Sequence, residues 1–108
     1  MPVYERLGDV RSRAVTMGKV ADILKARGEM EEALRIRREE QLPVFERLRD
    51  VRELLVGRAK LAMLYLQRGQ PEDRNLAAEL LRLALTSAES LRLPEAAQIR
   101  DIQRHFGL

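Results

Sequence analysis

Apolar and small residues recur at intervals of three and four along most of this chain. One such run begins after Asp9 and stops at Gly28, and another begins after Asp50 and stops at Gly69. This spacing is typical of amphipathic helices, and glycine suits the left-handed residue that often ends a helix. Each run therefore predicts a helix followed by a tight turn. The apolar positions of the two runs are Val10, Ala14, Met17, Val20, Ala21 and Leu24, and Val51, Leu55, Ala59, Ala62 and Leu66.

A second helical run follows Gly28, so that the unit is a pair of helices joined by a glycine turn. Pro43 interrupts this second run. A proline inside a helix lacks the N–H donor and crowds the carbonyl four residues earlier, here that of Glu39. We expect a kink or a wide turn that curves the helix around the core. The alternative is two short helices with a break near Leu42.

The unit occurs twice. Residues 2–11 match residues 43–52 at an offset of 41, with eight of ten positions identical. A fixed period of this length indicates a repeat array, in which each hairpin buries its apolar flank only by stacking on a neighbour. The fainter matches that follow are Val15/Val56, Lys19/Lys60, Ala21/Ala62, Arg27/Arg68, Gly28/Gly69 and Glu31/Glu72.

These hairpins resemble tetratricopeptide repeats (TPRs) of the variant with about 40 residues, as in kinesin light chains and bacterial multidomain signalling ATPases. The positions that carry the resemblance are Leu61, Ala62, Tyr65, Gly69, Ala77, Leu81 and Ala84. Three extra residues between Gly69 and Ala77 predict a longer turn there. In the first hairpin Arg37 and Glu40 depart from the pattern, so we expect a shifted register in which Ile36 and Leu42 pack.

The resemblance implies an all-α fold, a TPR-like α-solenoid of antiparallel hairpins with a C-terminal capping helix. We expect one domain over residues 1–108, cut from a longer array. Its predicted parts are a remnant of a preceding helix (1–8), the first hairpin (9–49), the second hairpin (50–92) and the capping helix (93–108).

Composition argues against catalysis and points to the cytoplasm. The chain has no cysteine, which excludes disulfides and thiol chemistry, and its only histidine, His105, lies in the predicted capping helix. We therefore expect no enzyme activity, cofactor or metal. No run of residues is apolar enough to span a bilayer. The net charge of +3 comes from acidic and basic residues that alternate along the chain, a pattern that disfavours nucleic-acid binding.

The resemblance also implies a binding groove along the inner face of the first helix of each hairpin, for a protein or peptide partner. The groove positions are Val15, Asp22 and Lys25 from the first hairpin, and Val56, Ala59, Met63, Leu66 and Gln67 from the second. Exposed apolar residues such as Met63 and Leu66 favour an interaction surface. Equally, the capping helix or a neighbouring chain could cover them. The clamp that some TPRs use for a terminal carboxylate is missing, because the only asparagine is Asn75, at a turn.

A hairpin without its neighbour should expose an apolar edge. We expect the helix at 9–27 to expose parts of its apolar edge. Two copies would join at that edge or exchange hairpins by straightening the turn at Gly28, most simply as a two-fold dimer. The edge positions are Val10, Ala14, Met17 and Val20. The predicted function is a non-catalytic protein-interaction module of a bacterial signalling or scaffold protein. The alternatives are a structural cap that mediates homo-oligomerisation and, third, nucleic-acid binding.

Overall fold

The computed structural model describes the backbone from residue 3 to residue 108 and the side chains from Gly8 onward. These residues are helical, with no strand among them, so the all-α prediction is confirmed. The chain divides into two compact units, unit 1 (Met1–Asp50) and unit 2 (Val51–Leu108). The division lies beside the predicted start of the second hairpin.

Unit 1 contains α1 (Val3–Ala26), α2 (Met30–Arg35), a π-helical segment (Ile36–Gln41) and α3 (Leu42–Leu48). Unit 2 contains α4 (Val51–Arg68), α5 (Asp73–Ser90) and α6 (Glu95–Phe106). Of the helices described, none combines the length and the apolar composition needed to cross a bilayer.

The segment that occurs twice, at residues 2–11 and 43–52, differs in backbone conformation between its two copies over the described residues. In its first copy α1 runs through without interruption, so residues 3–8, predicted as the remnant of a separate helix, are the first turns of α1. Residues 1 and 2 of that remnant lie outside the described residues. In the second copy the chain leaves the helix at Arg49, which has a left-handed conformation with φ of 54°. Helix propensity would favour the opposite arrangement at this position of the segment. Gly8 lies within α1, whereas Arg49 takes the left-handed conformation that glycine adopts more easily.

The second helical run of unit 1 continues through Pro43 and forms a wide, π-helical turn just before it. From Met30 to Leu48 every residue is helical, and the π segment lies immediately before the proline. The N–H of Leu42 donates to the carbonyl of Arg37, five residues earlier, which is the π-helical pattern. The predicted wide turn is confirmed, and the alternative break near Leu42 is absent from this segment. Ile36 and Leu42 are buried, as the shifted register predicted.

In unit 2, α5 packs against both α4 and α6. The positions that carry the TPR resemblance form its core: Leu61, Ala62, Tyr65, Ala77, Leu81 and Ala84 are all buried. Residues 93–108, for which a capping helix was predicted, contain α6, which follows Pro94 and buries Ala96 and Ile99; its role as a cap stays a prediction.

The turn between α4 and α5 is longer than the turn of the first hairpin, as predicted. It leaves four residues, 69–72, outside the helices, against three, 27–29, in the first hairpin. Of the three extra residues between Gly69 and Ala77, two lie in the turn and one lengthens α5. Asp73 at the start of α5 closes the turn, because it accepts hydrogen bonds from the N–H of Gln70 at 3.0 Å and from the guanidinium of Arg68 at 2.7 and 2.8 Å. These bonds satisfy the N–H of Gln70 and the guanidinium of Arg68, and they join the end of α4 to the start of α5.

Candidate binding surfaces

The predicted groove residues are distributed over the two units. Val15, Asp22 and Lys25 lie on α1 in unit 1, where Val15 is partly buried and the other two are exposed. The remaining five lie on α4 in unit 2, where Val56, Ala59, Met63 and Leu66 are partly buried and Gln67 is exposed.

An apolar cavity in unit 2 lies between α4 and α6, and we call it the α4–α6 groove. Its volume is about 190 Å³. It brings together three predicted groove residues, Val56, Ala59 and Met63, whereas Leu66 and Gln67 lie about one turn further along α4. The buried side chain of Leu55 also lines it.

The opposite wall of the α4–α6 groove comes from α6, whose contribution sequence reasoning missed. Ile99 and Ile102 supply apolar surface there, and Gln98 supplies an amide. The two isoleucines lie three residues apart, which places them on one face of a helix. This spacing was the available signal, because a helix that packs on α5 beside α4 faces α4 with part of its apolar surface.

An ion pair joins the two walls at one end of the α4–α6 groove. The guanidinium of Arg52, on α4, donates to Oε2 of Glu95, on α6, at 2.9 and 3.1 Å. The backbone N–H of Glu95 itself and the hydrogen bond from Arg52 lower the pKa of this carboxyl. Its other oxygen, Oε1, is buried and accepts no hydrogen bond in the part of the chain described. The pair therefore fixes the first turn of α6 against α4.

Unit 1 has a buried polar network between α1 and the π segment. Arg37, on the π segment, is only 2% exposed. Its guanidinium donates to Oδ1 of Asp22 at 2.5 Å, to the carbonyl of Gly18 at 3.3 Å and to Oε1 of Gln41 at 2.8 Å. Gln41 in turn donates through Nε2 to the carbonyl of Ala14 at 3.3 Å. The network ties the π segment to α1.

Burial and charge act in opposite directions on Arg37. Burial lowers the pKa of its guanidinium, and the nearby carboxylate of Asp22 opposes that shift. Asp22, predicted as a partner contact, therefore already serves as the counter-charge of a buried cation, although its own side chain is 51% exposed. Sequence reasoning identified Arg37 only as a departure from the family pattern.

The predicted self-association edge is only partly exposed. Val10 is 38% exposed, and Met17 and Val20 are partly buried. Ala14 is 1% exposed, so its predicted exposure is wrong. The reason is that α1 presents Ala14 to the π segment, where Gln41 bonds to its carbonyl.

A second depression, of about 320 Å³, lies on unit 1 between α1 and the run from the π segment to α3. Val10, Met17 and Val44 supply its apolar surface. Four exposed charged residues surround them: Arg13, Arg47, Glu39 and Glu40. We call these seven residues the unit 1 strip.

Groups able to hold a metal do not converge in the described part of the chain, where no cluster of three or more His, Asp or Glu side chains occurs. His105 is exposed, and its ring packs edge-on against Phe106 with centroids 4.8 Å apart. The α4–α6 groove and the unit 1 strip, each with an apolar lining, are the candidate surfaces for function. No protein-family model, no curated protein and no solved structure matches this chain.

Proposed function

We propose that this protein is a non-catalytic protein-interaction module that holds a peptide or a helix of its partner in the α4–α6 groove. The observation that carries the proposal is the apolar lining of that groove by Val56, Ala59, Met63 and Ile102, all only partly buried. Apolar side chains of a partner would complete their burial, and this burial would drive binding.

The TPR resemblance supports the same location. In that family, the first helices of successive hairpins line the concave surface that binds partners. α4 is the first helix of the second hairpin, and α6 follows α5 in the place of the next first helix. On this proposal the chain forms a TPR-like solenoid closed by α6, within a bacterial signalling or scaffold protein of the cytoplasm.

The chemistry of the groove favours a partner with aliphatic side chains at helical spacing. Met63 supports this because its flexible thioether side chain adapts to different apolar shapes. Gln98 and Lys60 lie at the margin and offer polar contacts. An amphipathic helix meets both requirements, since its apolar stripe would enter the groove and its polar face would stay in water.

Selection from a displayed library of random helical peptides tests the proposal. The wild-type chain should enrich peptides with an apolar stripe, and Met63→Glu should abolish the enrichment because it places a charge in the groove. Leu76→Glu is the matched control, because Leu76 is an exposed apolar residue of α5 outside the groove, 42% exposed. Enrichment of the same peptides on Met63→Glu would refute the groove as the binding site.

The second candidate function is a structural cap that ends a repeat array and mediates homo-oligomerisation. The observation that favours it is the exposed apolar surface of Val10 in the unit 1 strip. Light scattering over a range of protein concentrations separates the two candidates. A dimer would favour the cap, and a monomer at all concentrations would leave the groove as the surface to study.

A further inference from the structure

The unit 1 strip combines apolar surface with charges of both signs. Two of its charged residues are basic, Arg13 and Arg47, and two are acidic, Glu39 and Glu40. Within the described residues neither arginine has an ion pair or a side-chain hydrogen bond. Glu39 and Glu40 lie 3.6 and 3.3 Å from the guanidinium of Arg35, which pairs more closely with Glu32 at 2.6 Å. Arg38 also lies 3.8 Å from Glu39.

The charges are ordered along the strip because α1 and the second helical run are antiparallel. Asp22 of α1 lies opposite Arg37, Ala14 lies opposite Gln41, and Arg11 pairs with Asp50 at 2.8 Å. By the same register, Arg47 lies at the Val10 end of the strip. Glu39 and Glu40 lie at the Met17 end.

The two ends are separated by seven to eight helical residues, which corresponds to roughly 10–12 Å. The middle of the strip is Val44 on one side and Arg13 on the other. The basic end and the acidic end of the strip exchange places after a rotation of 180°, so these two ends are complementary between two copies.

We propose that the unit 1 strip binds the same strip of a second copy across a two-fold axis. Arg47 of each copy then faces Glu39 and Glu40 of the other copy, and the apolar side chains of Val10, Met17 and Val44 are buried between the two copies. This inference rests on the second candidate function, self-association, and names the surface and the orientation. It does not involve the α4–α6 groove.

Charge complementarity favours a second copy over a different macromolecule. A nucleic acid or an anionic membrane needs a surface of one sign, and the acidic end of the strip would repel it. A second copy places the basic end of one strip against the acidic end of the other, while Arg13, in the middle, lies near its counterpart at the two-fold axis. Because the interface repeats each pairing twice, one substitution removes two contacts from the dimer.

Charge reversal followed by mixing tests the pairing directly. The wild-type chain should dimerise in sedimentation equilibrium at low salt. Arg47→Glu, and separately the double variant Glu39→Arg/Glu40→Arg, should weaken the dimer roughly tenfold or more, because like charges then face each other. Mixing the two variants should restore association as a heterodimer, detected by labelling one of them with a fluorophore.

Two further variants keep the result interpretable. Arg27→Glu changes the net charge as Arg47→Glu does, but at an exposed residue beyond the C-terminus of α1, and it should leave the dimer unchanged. If the double reversal disturbs the fold through Arg35, Glu39→Gln/Glu40→Gln removes the charges without repulsion and should weaken the dimer to a smaller extent. Circular dichroism reports whether each variant retains its helices.

The outcomes separate the inference from the function on which it rests. A wild-type dimer that none of these charge variants weakens would overturn the strip and leave self-association through another surface. A wild-type monomer at all concentrations would overturn both. Heterodimer formation on mixing two monomeric variants would support the pairing, and failure to recover on mixing would refute it.

Discussion

Gly18→Ala tests whether the buried network of unit 1 determines how α1 packs. Gly18 lies inside α1 and is buried. A Cβ atom at this position would lie 2.1 Å from Nε2 of Gln41 and 3.2 Å from its Cδ. Gln41 cannot simply rotate away, because it donates to the carbonyl of Ala14 and accepts from Arg37. We therefore expect the methyl group to displace these bonds and also to push the two helices apart.

The expected loss of stability follows from three contributions. Inserting a methyl group into a packed interior costs about 1–3 kcal/mol. Leaving a buried donor or acceptor of the Arg37–Gln41 pair without its partner costs about 1–3 kcal/mol more. Alanine favours the helix over glycine by about 1 kcal/mol, which opposes both. The balance is a net destabilisation of about 3 kcal/mol.

Urea denaturation followed by circular dichroism measures this loss, with Gly8→Ala as the control. Gly8 also lies in α1, but a Cβ atom there would contact nothing within 4 Å. Gly8→Ala should therefore stabilise the protein by up to about 1 kcal/mol, which is the gain in helix propensity.

A double-mutant cycle assigns the loss to Gln41. In a Gln41→Ala background the obstructing side chain is gone, so Gly18→Ala should become stabilising by about 1 kcal/mol. If Gly18→Ala stabilises the wild-type protein as Gly8→Ala does, the close approach of Gln41 to α1 is refuted. An equal loss in both backgrounds would also refute it.

Two further predictions concern helix ends. Arg49→Gly should raise the free energy of unfolding by about 0.5–1 kcal/mol, because glycine relieves the left-handed strain of arginine although it also loosens the unfolded chain; a lower melting temperature would contradict this. Asp73→Asn should reduce stability at neutral pH, because hydrogen bonds from Arg68 and Gln70 lower the pKa of Asp73 below its ordinary value of 3.8. Since the folded-state pKa is the lower one, this stabilisation is present above about pH 4 and is lost as the pH falls further. Denaturation from pH 7 to 2 should therefore show wild type and Asp73→Asn converging in acid, and a constant difference would refute the assignment.

Helices and turns were largely predictable from local pattern. The glycines at 28 and 69 both have positive φ and end their helices, as their position after an apolar run indicated. The core of α4 and α5 was also predictable, because small and large apolar residues recur there at helical spacing. Such features depend on residues that are neighbours along one helix.

The candidate sites were less predictable because they depend on contacts between helices. Arg37 is charged and stands where the family pattern expects an apolar residue, and charged residues are seldom buried without a partner. Its partner Asp22 lies 15 residues away. No local pattern indicates that such a pair will meet, nor that Ile99 and Ile102 of α6 will face Met63 across a cavity.

The repeated segment, residues 2–11 and 43–52, shows that local sequence alone does not determine where a helix ends. Its two copies share eight of ten residues, yet one is continuous helix from residue 3 and the other leaves the helix at Arg49. Backbone propensity amounts to about 1 kcal/mol at such a position, whereas burying one large side chain contributes about 2 kcal/mol or more. Phe45, fully buried in α3, accepts the closing hydrogen bond from the N–H of Asp50 at 3.0 Å. Periodicity along the chain thus defines the helices, the turns and the core positions. Packing between helices determines where the helix ends in the repeated segment and which side chains form a surface.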